Sequence, residues 1–318
     1  MRIAVLDAAT LGEDIQLEEF FPYADVIKYP NTAPEEVPKR IKGFDVIIIN
    51  KIKITGEVLD QADALKLICV AATGYDNIDL SECRRHGVAV ANVPGYSSHS
   101  VAQVTVATVL FLYNRIESYR NFVISGDYYA SKTANRLVPQ YREIYGKTWG
   151  IVGYGGIGKE VAKAAEALGC RVIVNKRAPT AEAECVEIDE LCRRSDIISI
   201  HCPLTQDTRG LISRERMATM KDGVVLVNEA RGLVLDEEAV RDAVLSGKIG
   251  GFGCDVYSTE PFGPDHPYES IKALENVLLT PHMAWGAYES RVRCFKIISE
   301  NILSHFNGGN KNRVDINK

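Results

Sequence analysis

Residues 147 to 158 read KTWGIVGYGGIG, with Gly153, Gly155 and Gly158 in the spacing G-x-G-x-x-G between a strand-like run and the helix-like stretch KEVAKAAEAL. Each glycine then has a physical task. The first permits a tight turn, the second lets backbone approach a pyrophosphate, and the third lets helix and strand pack closely. Gly156 and Ile157 open the helix, whose free N–H groups and dipole attract phosphates. Gly153, Gly155, Gly156, Ile157 and Gly158 are therefore the expected dinucleotide cradle. The bland alternative, a glycine-rich turn with no ligand, is disfavoured because strand, helix and following strand are all in place.

Three segments downstream, VNEARGLVLDEEAV, GCDVYSTEP and TPHMAW, carry polar residues where strands should end. Open α/β sheets bind their ligands at that edge. Taken singly, Arg231 reads as a solvated or capping charge, Glu260 before Pro261 as surface loop, and His282 as a weak signal. Their order on successive strand ends makes a functional site the better reading.

The elements that must position these groups form two series. Short apolar runs RIAVLDA, ADVIKY, DVIIIN, LKLICVA and GVAVAN alternate with amphipathic stretches up to residue 92, and a second series runs from KTWGIV through RVIVN, DIISI, GVVLVNE, IGGFGCDV and NVLLT. Runs apolar on both faces suit parallel sheets covered by helices on two sides. The expectation is an α/β protein with two doubly wound parallel-sheet domains. One is flavodoxin-like, residues 1–98 and 287–318; the other is a Rossmann domain, residues 99–286. Helices are expected over about 99–116 and 287–306, followed by a frayed polar tail. A length of 318 residues agrees with two domains, because single cores tend to split at roughly 250 to 300 residues.

Hydrophobic content of 46% with 25% charged residues is ordinary globular usage. A net charge of -5 without a basic run argues against nucleic acid or anionic membrane as partner. The eight cysteines form no C-x-x-C pair, so no metal site is expected, and they read as buried reduced thiols. That usage, with no signal-peptide pattern and no apolar run of membrane-spanning length, points to the cytoplasm.

The patterns N-x-x-R-G-x-x-x-D (228–236), D-V-x-x-x-E-P (255–261) and T-P-H (280–282), in that order, resemble the D-2-hydroxyacid dehydrogenase family along nearly the whole chain. TPHMAW, with Trp285, and the later ESRVR are most similar to its glycerate dehydrogenase and hydroxypyruvate (glyoxylate) reductase branch. The resemblance implies hydride transfer from NAD(P)H to a small 2-keto acid. It gives Arg231 the substrate carboxylate and keto oxygen, His282 the proton, and Glu260 the task of orienting His282 and favouring its charged form. Elementary chemistry agrees: a guanidinium matches a carboxylate bidentately, and an imidazole exchanges protons near neutrality.

By the same resemblance, backbone N–H groups near Thr73 and Gly74 in ATGYDNID meet the carboxylate, Lys51 adds positive charge, and Trp285, Tyr75 and Tyr96 shape the substrate pocket. Cys202, Pro203, Thr208, Glu229, Ala230 and Asp255 match positions on the nicotinamide side, which places catalysis in a cleft between domains. Where the family aligns its acidic ribose ligand this chain has Asn175, Lys176 and Arg177. Without that acid, and with two cations to meet a 2'-phosphate, NADPH is expected to be preferred and NADH tolerated. The segment 120–146, with Phe122, Tyr128, Tyr129, Tyr141 and Tyr145, matches the family's dimer arm and predicts a homodimer. Gln103 stands where the family commonly has Glu after S-V-A. His86, His99, His266 and His305 receive no role. A corepressor-like dinucleotide sensor on the same scaffold is the rival reading; a formate dehydrogenase is disfavoured because Gln is typical where Glu260 stands.

Overall fold

A computed structural model describes residues 1–178 and 180–316. Five short strands, β1 (Arg2–Val5), β2 (Asp25–Lys28), β3 (Val46–Ile49), β4 (Leu67–Val70) and β5 (Ala89–Ala91), form one parallel sheet in the order β2-β1-β3-β4-β5. The run VIII in β3 is wholly buried, as a strand covered on both faces requires. On one face Leu6, Ile47, Ile49, Ile68, Val70 and Val90 form the core of this unit, which comprises Met1–Ser97 and Gly286–Lys318. Residues 317 and 318, within the expected 287–318 segment, lie outside the described residues.

The second unit, Ser98–Trp285, contains β6 (Thr148–Val152), β7 (Arg171–Asn175), β8 (Glu184–Cys185), β9 (Ile197–Ile200), β10 (Val224–Asn228), β11 (Ile249–Cys254) and β12 (Val277–Leu279). They form a parallel sheet in the order β12-β11-β10-β9-β6-β7-β8. Strand alternation fills both faces: Val224 and Leu226 join Ile198, Phe252 and Tyr268 on one side, while Val225 and Val227 join Trp149, Ile151 and Val161 on the other. Chain order reverses between β6 and β9, and in the first sheet between β1 and β3. Ligand crevices form at such switch points.

Three features differ from expectation. The first long helix spans Ser98–Tyr113 rather than reaching Ile116, because Arg115 takes a left-handed conformation (φ 54°) and a new helix, Ile116–Ile124, begins after it. The edge strand β8, two residues long, has too little sequence to show a pattern. The polar tail, as far as residue 316, is not frayed. Arg313 bridges Ala91 antiparallel, Val314 donates to the Val90 carbonyl, and the buried Asp315 carboxylate accepts from the Val90 N–H at 2.8 Å and from Arg313 at 2.6 Å. Composition misled here because the tail is held by backbone pairing to an edge strand, not by apolar side chains.

Seven of the eight cysteines are buried, and all eight are free thiols. Among the described residues no helix is long and apolar enough to cross a membrane.

Candidate active site

The glycine turn sits at the switch point of the seven-stranded sheet. Gly153 has φ +95°, and a Cβ there would lie 2.6 Å from the Cys202 nitrogen, so the fold itself demands glycine. A Cβ on Gly158 would collide with the Gly153 carbonyl oxygen. Gly155 differs: a Cβ on it would meet nothing within 4 Å. Two glycines are thus required by packing, while the side of the third is left open at the start of the helix Gly156–Ala167. That is the cradle a pyrophosphate needs, and the residues fit a dinucleotide.

Strands β10, β11 and β12 are consecutive neighbours, with Asn228 opposite Cys254 and Cys254 opposite Leu279. The segments that follow them therefore leave the sheet along one edge. They carry Arg231, Glu260 and His282. Asp255 accepts from the Thr280 hydroxyl (2.6 Å) and Met283 N–H (2.8 Å) on one oxygen and from Ala284 N–H (2.8 Å) on the other. Between those anchors His282 has φ 54°, a left-handed conformation that costs a non-glycine residue about 1 to 3 kcal/mol. Its N–H donates to the Thr280 carbonyl at 3.1 Å. Three hydrogen bonds to one carboxylate are enough to hold such strain.

The held histidine meets its acid. His282 Nδ1 lies 2.6 Å from Glu260 Oε2, and Glu260 Oε1 accepts from the Tyr257 N–H at 3.0 Å. That contact commits Nδ1 to the carboxylate. Both side chains are only part-buried. Arg231 begins a short turn past β10, Gly232–Val234, and its guanidinium donates to the Ala230 carbonyl at 2.8 Å.

Two polar side chains at this edge lack partners. Burial pushes the Glu229 carboxyl up to about 9, with the Asp255 charge adding to the effect, and its Oε2 has no hydrogen-bond partner among the described residues. Both ring nitrogens of His201, just past β9, are likewise buried and unpaired, and burial pushes that imidazole down to about 3. His201 shares the Gly153 contact through its own carbonyl carbon, 2.7 Å from the place of a Gly153 Cβ. The sequence reading gives His201 no role, although the strand-end rule that found His282 applies equally to HCPLT after DIISI. Cys202 is buried, Thr208 Oγ1 donates to the Pro203 carbonyl at 2.6 Å, and Ala230 N–H donates to Asn228 at 3.1 Å. These two segments are ordered turns on the same edge.

At the end of β7 the Asn175 amide donates to the Val186 carbonyl at 3.0 Å, while Lys176 and Arg177 beyond it are exposed. Arg177 lies 3.7 Å from Asp207, with both side chains largely in solvent, so the pair is weak. In the first unit Lys51 follows β3 and Thr73 and Gly74 follow β4, so strand neighbours bring them to one edge of the five-stranded sheet. Thr73 Oγ1 donates to the Val93 carbonyl and the Thr73 carbonyl accepts from Asn92, yet the N–H groups of Thr73 and Gly74 donate to nothing among the described residues. Trp285 is half-buried at the end of the second unit.

The profile described as D-isomer specific 2-hydroxyacid dehydrogenase, NAD binding domain, matches residues 106–284. The chain is similar to the hydroxypyruvate reductase of Blautia hydrogenotrophica (34% identical, covering 99% of this chain and 100% of that protein). It is also similar to the glycerate dehydrogenase of Methylorubrum extorquens (35% identical, covering 99% of each). Among solved structures, a D-lactate dehydrogenase from Aquifex aeolicus complexed with NAD and lactic acid superposes with a TM-score of 0.88 at 28% identity, covering 100% of both chains. The chain belongs to the D-isomer-specific 2-hydroxyacid dehydrogenase family. It is an NAD(P)-linked oxidoreductase of 2-keto and 2-hydroxy acids, acting on the CH–OH group of the donor.

Glu229 generates a test of the site's electrostatics. Between its ordinary value of 4.5 and about 9 the folded chain keeps a proton that the unfolded chain releases. Folding stability therefore declines as pH rises through that window. Glu229→Gln, which removes the ionisation and keeps the shape, is expected to flatten the decline. Thermal unfolding of both proteins at about pH 6 and about pH 9 should show the variant gaining relative stability at the higher pH; parallel curves would contradict a neutral buried Glu229.

Proposed function

We propose that this enzyme reduces a small 2-keto acid of the glyoxylate, hydroxypyruvate or pyruvate type to the D-2-hydroxy acid, with NADPH preferred over NADH. The observation that carries the reading is the 2.6 Å contact of His282 with Glu260 on the edge that also bears Arg231 and the open glycine turn. Arg231 binds the substrate carboxylate and polarises the keto oxygen. His282 Nε2 gives its proton to the forming alkoxide, while Glu260 keeps the ring turned and stabilises its positive charge until transfer. The reduced nicotinamide, when bound, supplies the hydride. Gly153, Gly155, Gly156, Ile157 and Gly158 hold the pyrophosphate, and Cys202, Pro203, Thr208, Glu229, Ala230 and Asp255 line the nicotinamide side.

Thr73 and Gly74 keep their proposed role as carboxylate donors, supported by their unused N–H groups, with Lys51 adding charge and Trp285 an apolar wall. A cytoplasmic setting is supported by eight free thiols.

The preference for NADPH rests on Lys176 and Arg177. Neither is tied down by a strong ion pair, so both are available to a phosphate dianion, whereas Asn175 has committed its amide to Val186. One charge-assisted contact contributes roughly 1.5 to 3 kcal/mol, or about tenfold or more in kcat/KM. Glyoxylate, hydroxypyruvate and pyruvate should each be assayed with both reduced cofactors, then again with Lys176→Asp. Turnover with NADPH favoured, and loss of that preference in the variant, is the expected result. No turnover of any keto acid would favour a sensor; equal use of the cofactors would remove the role of Lys176.

A homodimer belongs to the same reading. Tyr129 (80% exposed), Leu137 (76%) and Tyr145 (76%) crowd the segment that follows the helix Ser98–Tyr113, where no core of the second unit reaches them. Phe122 is less open than its type suggests, since the Arg136 guanidinium covers its ring at 3.9 Å. Large apolar groups left in solvent mark an interface. Light scattering at micromolar concentration should give twice the chain mass, and a monomer would contradict the dimer.

A further inference from the structure

Behind the His282–Glu260 pair lies a second acid and histidine, buried and outside the chemistry just described. Glu237, the first residue of the helix Glu237–Leu245, is 9% exposed, and its Oε1 accepts from the Ser258 N–H at 2.9 Å. Its Oε2 lies 3.1 Å from Nε2 of His266, which is 5% exposed; the distance is that of an ion pair, without the alignment of a hydrogen bond. The other ring nitrogen, Nδ1, accepts from the Tyr268 N–H at 3.2 Å, and the imidazole packs edge-on to Tyr257 and Tyr268 and beside Phe262. A histidine that receives no role from the sequence is a fixed, buried group.

The peptide that Glu237 grips adjoins the one on which the catalytic pair depends. Tyr257 N–H holds Glu260 Oε1, and the next N–H, of Ser258, is held by Glu237. On its other side the Tyr257–Ser258 peptide lies against Gly232, where any Cβ would collide with it. Gly232 directly follows Arg231. One peptide thus touches the segments bearing both Arg231 and Glu260, and a buried carboxylate fixes it. An exposed contact would be loose and screened by water. A buried one cannot relax without leaving a carboxylate unpaired, which costs more than an ordinary lost hydrogen bond.

We propose that Glu237, held by His266, is a positioning residue that clamps the Tyr257–Ser258 peptide and so sets the distance between Glu260 and His282. The proposal rests on the catalytic roles given above to Glu260 and His282. Its cost when broken falls on the chemical step, because displacements near 1 Å are felt strongly in kcat.

The test is a cycle of Glu237→Ala with His282→Ala, read by single-turnover hydride transfer, NADPH affinity and Tm. In the wild-type background Glu237→Ala should lower the rate by about tenfold or more, with NADPH affinity within about twofold. Glu237→Gln, which keeps an acceptor for the Ser258 N–H, should restore most of that loss. In the His282→Ala background the same Glu237→Ala change should cost less than about twofold, since nothing remains to position. A folded Glu237→Ala protein with wild-type rate, or a loss equal in both backgrounds, would overturn the clamp. If Glu237→Ala does not fold, His266→Asn replaces it: the amide oxygen can still cap Tyr268, and an unchanged rate would again overturn the proposal. Failure of His282→Ala itself to slow hydride transfer would instead remove the catalytic reading on which the clamp rests.

Discussion

Asp255 anchors the turn that carries His282, and the candidate catalytic arrangement depends on that carboxylate. It accepts three hydrogen bonds from Thr280, Met283 and Ala284, the residues on either side of His282. Only within that frame does His282 keep a left-handed backbone with its Nδ1 on Glu260. The ladder of β10, β11 and β12 supplies the rest of the geometry. Parallel strands in register end together, so residues far apart in the chain leave the sheet side by side. Precision comes from the rigid sheet and adaptability from the turns beyond it.

The carboxyl groups of this edge divide their labour by environment. Asp255 is saturated with donors. Glu229, beside it and buried without donors, is driven toward its neutral form. Glu260 is part-buried and has both oxygens occupied, one by backbone and one by imidazole. A neutral Glu229 avoids a second buried negative charge beside Asp255.

Much of this was legible in the sequence because the physical demands on it are local. Gly153 and Gly158 are forced by close backbone approach, while the fold leaves the side of Gly155 open. The strand runs were legible because burial on both faces allows few residue types; β3 reads VIII for that reason. What stayed hidden depends on distant partners. His266 is buried by Tyr257, Phe262, Tyr268 and Glu237, none of which marks it from sequence. The tail is ordered by β5, more than two hundred residues away, so its polar composition pointed the wrong way. His201 is a different case, since it follows a strand end just as His282 does.

In the proposed reaction His282 delivers the proton while hydride is transferred, and Glu260 and Asp255 place it. Pre-steady-state oxidation of the reduced cofactor by a keto acid substrate, compared between wild-type and His282→Ala protein, tests it most directly. The expected rate is lower by roughly 100-fold to 10,000-fold in the variant, with reduced-cofactor affinity unchanged. A variant that oxidises the cofactor at nearly the wild-type rate would contradict it.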